Sequence, residues 1–149
     1  MILIENLSQF KIFQGLTDAE LANIADITKK EDYEANKRIF EEKSIANNLY
    51  LVDNGSVAIR MKGEVGNGRL LIDTVKKGEI FGWSSVAEPH TFTAAAHTLE
   101  KTTVYVISSH VLLDLFKKNN HIGYKVMSGI ASVISSRFRQ LCLQFANLM

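Results

Sequence analysis

Few side chains in this sequence have the chemistry for catalysis or ligation. Its imidazoles are His90, His97, His110 and His121, and its one thiol is Cys142. A metal centre on a β-scaffold needs a close His-x-His pair with a carboxylate and a further histidine; no such pair exists here. His90 and His97 stand seven apart, so no metal, haem or other cofactor is expected. A lone cysteine builds neither an intrachain disulfide nor a thiolate zinc site. Ser84, Ser85 and Thr93 lie near His90 and His97 in sequence, where a hydroxyl and an imidazole could pair as nucleophile and base. No nucleophile elbow or oxyanion hole accompanies them, so an enzyme is not expected. Gly63, Gly66 and Gly68, followed by Arg69, have the flexibility of a phosphate cradle. That cradle requires a strand before it and a helix after it, whereas a strand follows here, so the segment is read as a hairpin loop with Arg69 at the surface.

The segment between Lys77 and Lys101 holds no lysine or arginine but carries Glu79, Glu88 and Glu100. A phosphate desolvated against it would meet backbone N–H groups, as at Ser84-Ser85-Val86, and histidines only when protonated. The whole chain is close to neutral, with 17 Lys+Arg against 16 Asp+Glu over 149 residues. Nucleic acid and anionic membrane surfaces are therefore not expected partners. Apolar residues make up 46% and charged ones 22%, the usage of a single globular domain over residues 1–149. No apolar run approaches a membrane span, and the start lacks a signal-peptide pattern, so the expected location is the cytoplasm.

The elements that must position these residues follow from periodicity. Ile2, Ile4, Leu7, Phe10 and Phe13 mark a short helix or packed arm. Thr17 and Glu20 have the spacing of a capping box, flanked by Leu16 and Leu21 as a staple, and predict a helix to about Ile27. From about 29 to 107 the period becomes two, in short runs at Arg38–Phe40, Leu49–Val52, Val57–Met61, Leu70–Val75 and Val104–Ile107. Asn54-Gly55 between two of them predicts a hairpin. Residues 109–148 return to helical period, with Ser109 as cap of the first helix and Asn119-Asn120 as the break before a second of about 40 Å at ~1.5 Å per residue. The predicted fold class is α+β: an antiparallel β-barrel or jelly roll (double-stranded β-helix) with an N-terminal helix and two C-terminal helices, the last one long.

Three stretches resemble the cyclic nucleotide-binding domain family, the sensory module of catabolite activator-type regulators, kinases and channels. They are Leu7–Ala22 with Gly15-Leu16-Thr17; Ile39-Phe40-Glu41 through Asn48-Leu49-Tyr50-Leu51-Val52-Asp53-Asn54-Gly55-Ser56-Val57; and Gly78-Glu79-Ile80-Phe81-Gly82 leading into the ligand cassette. The resemblance runs from about Leu7 onward and implies a ligand-binding cassette at Phe81, Gly82, Trp83, Ser84, Ser85, Phe92 and Thr93. Three positions depart from the family pattern. Trp83 follows Phe81-Gly82, where the family carries a ribose-binding Glu; Phe92 stands where an Arg would pair with the cyclic phosphate; and Lys43-Ser44 replaces a Gly-Asp turn.

The resemblance therefore implies a non-catalytic regulatory domain with a degenerate phosphate cassette, not binding cyclic AMP or cyclic GMP in the usual way. The resemblance leaves room for a small-molecule ligand and does not identify one. The rival is a purely structural interaction module whose pocket Trp83 and Phe92 have closed. The terminal helix carries more apolar residues than one buried face needs, so a homodimer is expected through Met127, Ile130, Ile134, Phe138, Leu141 and Phe145. Arg137 and Arg139 are expected to face solvent or to reach a carboxylate across that interface. No helix-turn-helix follows the long helix, so DNA binding by this chain is not expected.

Overall fold

A computed structural model describes residues 2–63 and 68–149 of the chain. It opens with α1 (Ile4–Leu7), a 3-10 turn at Lys11–Phe13 and α2 (Asp18–Asp26). The capping box of α2 is complete. Thr17 Oγ1 accepts from the Glu20 N–H at 3.1 Å, and Glu20 Oε1 accepts from the Thr17 N–H at 3.0 Å. Eight strands follow: β1 (Thr28–Tyr33), β2 (Arg38–Phe40), β3 (Asn48–Asn54), β4 (Ser56–Lys62), β5 (Arg69–Lys76), β6 (Ile80–Phe81), β7 (Ala95–Thr98) and β8 (Thr102–Ser108). Two helices end the chain, α3 (Ser109–Lys118) and α4 (Asn120–Asn147).

The strands form two antiparallel four-stranded sheets, in the orders β1-β8-β3-β6 and β2-β7-β4-β5. The α+β class stands, but the sheets do not close into one barrel. Asn54-Gly55 is likewise not a hairpin, because β3 and β4 belong to different sheets. Gly55, at φ +98°, turns the chain from one sheet to the other, and a Cβ there would lie 2.4 Å from Thr102 Oγ1. The true hairpin joins β4 to β5, whose last pair is Lys62 with Arg69; most of the glycine-rich loop between them lies outside the described residues. Strand β1 escaped the sequence pattern because it is an edge strand of sequence TKKEDY, exposed over Lys29–Asp32 and paired only with β8. Its charges keep the open edge from pairing with another chain.

Two apolar clusters pack on opposite sides of β3 and β8. Leu49, Leu51, Tyr105 and Ile107 face the helices, against Leu7, Phe10, Ile24, Leu112, Ile122 and Val126. Tyr50, Val52, Val104 and Val106 face the second sheet, against Val57, Val75, Phe81, Phe92 and Ala96. Each fully buried side chain of this size contributes about 1.5–3 kcal/mol.

Asn119, not an extension of α3, begins α4: its Oδ1 accepts from the Ile122 N–H at 3.1 Å. Ser109 is not a cap; its hydroxyl donates to the Asn47 carbonyl at 2.9 Å, and Ser108 occupies the cap position. Helix α4 crosses the 3-10 turn so closely that a Cβ on Gly129 would lie 2.7 Å from Ile12 Cα. Ile122, Val126 and Ile130 are its buried residues. Ile130, expected at a subunit interface, is 2% exposed and belongs to the chain's own core, because it falls on the helix face that meets the 3-10 turn. Among the described residues, no helix is long and apolar enough to cross a membrane.

The start of α4 is tied to α2 by an imidazole–carboxylate contact. His121 Nδ1 lies 2.8 Å and 2.9 Å from the two carboxylate oxygens of Glu20. The Thr17 N–H, and then His121, hold the Glu20 carboxyl below its usual pKa. A depressed folded-state pKa contributes stability that is present above the unfolded carboxylate pKa and is lost as pH falls through the folded one. The Glu20→Gln variant should therefore be less stable than the native protein at pH 7 and nearly equal to it in strong acid. Urea unfolding across that range checks this, and parallel pH profiles for the two proteins would contradict it.

Candidate functional site

The two sheets leave a cavity of about 260 Å³ between the β4–β5 hairpin, the segment after β6, and α4. Its floor is aromatic. Phe40 stacks on Phe92 with ring centroids 3.6 Å apart and planes 7° from parallel. Phe81 stacks on Tyr50 at 4.9 Å and 12°, and Phe40 bridges to both, at 6.0 Å and 5.7 Å. Phe81 and Phe92 are buried, so these rings form a fixed slab between the sheets. Trp83, half-buried at the start of a 3-10 turn (Trp83–Val86), forms one side of the mouth.

The position of Phe92 is set by a turn on the neighbouring chain. The Lys43 N–H donates to the Phe92 carbonyl at 2.7 Å, and the Phe92 N–H donates to the Ser44 carbonyl at 2.9 Å. Lys43 holds φ +69°, left-handed backbone that favours glycine, at the turn where the sequence resemblance led one to expect Gly-Asp.

Of the expected cassette residues, Phe81, Gly82, Trp83, Ser84, Phe92 and Thr93 all line the cavity. Ser85 does not. It is fully buried behind the 3-10 turn, and its hydroxyl has no hydrogen-bond partner. The hydroxyl–imidazole pair is also absent, since His90 Nδ1 meets the Ser85 carbonyl oxygen at 2.9 Å, not the hydroxyl. His97 is held elsewhere: its Nε2 accepts from Arg38 Nε at 3.1 Å. Burial, and then Arg38, Arg69 and Arg60, push the His97 pKa down, so it supplies no positive charge near neutrality. Among the described residues, no group of three His, Cys, Asp or Glu is placed to hold a metal.

Two charged residues of the cavity were not foreseen: Asp73 and Arg137. On a regular strand Ile72 and Asp73 would point to opposite faces, yet both line the cavity. The register of β4 with β5 slips between Ile59, opposite Asp73, and Arg60, opposite Leu71. The extra residue is Ile72, and the bulge re-aims its neighbour. Arg137 comes from α4. Its side chain, only 14% exposed, is ion-paired to Asp73, lies 3.5 Å from Glu79 Oε2, and has its guanidinium carbon 5.8 Å from the Trp83 ring centre. The expectation that Arg137 faces solvent or a second subunit is thus corrected. Arg137 lies on the face of α4, with Gln140, Leu141 and Gln144, that lines the chain's own cavity. Burial lowers the Arg137 pKa, but a guanidinium between two carboxylates stays charged.

Comparison with known proteins agrees with this architecture. A family model described as the cyclic nucleotide-binding domain matches residues 30–119. The chain belongs to the cyclic nucleotide-binding domain family. A cAMP-dependent protein kinase regulatory subunit from Eremothecium gossypii is 29% identical over 76 residues, 51% of this chain; the match spans only 16% of that relative's length. A crystal structure of a protein assigned to the cyclic nucleotide-binding proteins, from Geobacter metallireducens GS-15, superposes with TM-score 0.81 at 29% identity, covering 93% of this chain and 99% of that one. The Thermus thermophilus catabolite activator protein superposes with TM-score 0.77 at 23% identity, over 93% of this chain and 62% of that one, and shares the fold.

The Arg137–Asp73 pair should behave as a coupled unit. Arg137→Ala leaves two carboxylates without their shared partner and should cost about 1–3 kcal/mol. Asp73→Ala combined with it should cost less than the sum of the two single changes. Chemical unfolding of the four proteins measures the coupling; strict additivity would mean that the pair contributes nothing.

Proposed function

We propose that residues 1–149 act as one non-catalytic regulatory domain whose phosphate cassette is degenerate, so that it does not bind cyclic AMP or cyclic GMP in the usual way. The observation that carries this reading is the aromatic floor. Phe92, at the position matched to the family's phosphate-binding Arg, is stacked on Phe40 and pinned by Lys43 and Ser44. Trp83, at the position matched to the ribose-binding Glu, offers an N–H donor and no acceptor. Arg137, the one cation lining the cavity among the described residues, is already engaged by Asp73 and Glu79. The family membership and the kinase regulatory subunit among its relatives support regulation as the role. The exposed free thiol of Cys142 fits a reducing compartment, the cytoplasm.

The readout is a homodimer through α4. Tyr124, Met127, Ala131, Ile134, Phe138, Leu141, Phe145 and Leu148 follow one another in alternating steps of three and four. That spacing is a coiled-coil seam. Most of it is open to solvent in the single chain, with Phe138 69%, Phe145 67% and Leu148 85% exposed. A ligand in the cavity touches Arg137 and Leu141 of the same helix, so occupancy biases how α4 packs, and the dimer transmits it. The second reading, a structural interaction module with a closed pocket, draws on the same Phe92–Phe40 stack; the 260 Å³ left beside the stack is just under the ~300 Å³ at which small-molecule sites begin, so the pocket is reduced and not closed.

Losing both polar anchors of a buried charged ligand removes about 2–5 kcal/mol for each contact. Calorimetry at neutral pH should accordingly give a Kd above roughly 100 µM for both cyclic nucleotides, and micromolar binding of either would refute the reading. Light scattering should give twice the 16.7 kDa of one chain at tens of micromolar. Phe138→Glu with Phe145→Glu should yield the monomer with its sheets intact by circular dichroism. A native mass of one chain would sink the dimer.

A further inference from the structure

We propose that the cavity beside Trp83 takes an uncharged, flat, mostly apolar small molecule about two fused rings in size, and discriminates against anions. This deepens the reading above and rests on it, since it names what a cassette without phosphate anchors selects. The volume of about 260 Å³ equals that of about nine waters at ~30 Å³ each. The floor is the face of the Phe40–Phe92 stack and Phe81, and Trp83 stands at the side, so a planar ring finds aromatic surface in two directions.

Charge decides the class. Among the described residues, the ionisable side chains lining the cavity are Asp73 and Arg137, and Glu79 reaches the same guanidinium from outside. One positive charge against two negative ones leaves the cluster with an excess negative charge. An anion must take Arg137 away from Asp73, stranding a carboxylate that is only 25% exposed. A cation finds both carboxylates already engaged by Arg137 and the Trp83 face already covered by it, so it must displace that guanidinium to pair. A neutral ligand leaves the ion cluster intact. Ser84, Thr93, Gln140 and Gln144 also line the cavity and can donate to or accept from an uncharged polar edge.

Trp83 is the chain's single tryptophan, so a ¹⁵N spectrum of the full chain has one indole N–H resonance and it reports on the mouth of the cavity. Three compounds of matched shape test the class: naphthalene-2-carboxamide, naphthalene-2-carboxylate and 2-naphthylmethylammonium. The carboxamide should shift the indole resonance saturably, with a Kd about ten-fold or more below that of either ion. Asp73→Asn frees Arg137 and should raise carboxylate affinity by about ten-fold with little change for the carboxamide. Glu79→Gln makes the same charge change from a more exposed position and should move the carboxylate in the same direction, whether or not Asp73→Asn folds. Carboxylate binding as tightly as carboxamide in the native protein overturns the proposal. So does the absence of a saturable shift with carboxamide at millimolar concentration, or failure of Glu79→Gln to favour the carboxylate. Micromolar cyclic AMP binding would sink the degenerate-cassette reading itself, whatever the naphthalene series does; a lost carboxamide preference with cyclic AMP still silent would sink the ligand class alone.

Discussion

The two-sided burial of β3 and β8 is the constraint on which the rest of this structure depends. Leu49 and Leu51 point into the helical layer while Tyr50 and Val52 point between the sheets, and β8 repeats the arrangement with Tyr105 and Ile107 against Val104 and Val106. A slip of one residue in either strand would exchange the two cores, so register is strongly specified. Everything functional hangs from that register. Tyr50 offers its ring to Phe81 of β6, which starts the cassette, and the opposite face of the same strands receives Ile122 and Val126, which anchor α4.

Helix α4 therefore serves two environments along its length. Its first half is core, held by the Asn119 cap, the His121–Glu20 contact and the close approach at Gly129. Its second half leaves the core and returns one side chain, Arg137, to the cavity, where Asp73 and Glu79 meet it. An ion pair of this burial gains Coulomb energy but costs desolvation, so its net effect on stability is modest compared with the apolar cores. Its geometric effect is larger, because it fixes the helix over the cavity from a different sheet than the one that anchors its start.

The aromatic floor and the ion cluster meet at one cavity. Indole and phenyl rings stand there at Trp83, Phe81, Phe92 and Phe40. Among the described residues, the cation at the cavity comes from α4 with its own intramolecular partners. The floor is held from the neighbouring turn: Lys43 takes the left-handed position, its N–H donates to the Phe92 carbonyl, and the Phe92 N–H donates to the Ser44 carbonyl.

What the sequence by itself determined was local or carried in spacing. The Thr17–Glu20 box set the start of α2, β-branched runs marked five strands, and the order of the Gly15, Asn48–Val57 and Phe81-Gly82 stretches identified the family. The cassette's lack of Lys and Arg was equally plain. Tertiary structure alone decided the rest. Asn54-Gly55 has hairpin chemistry, yet it turns a corner between sheets because β3 pairs with β6 and β8. Strand β1 is nearly all charged and gains its strand identity from β8. Asp73 enters the cavity through a bulge that depends on pairing with β4, and Arg137 turns inward because a partner 64 positions earlier waits there. No periodicity distinguishes that arginine from Arg139 beside it, since a helical surface position becomes a buried one only when another element arrives to cover it.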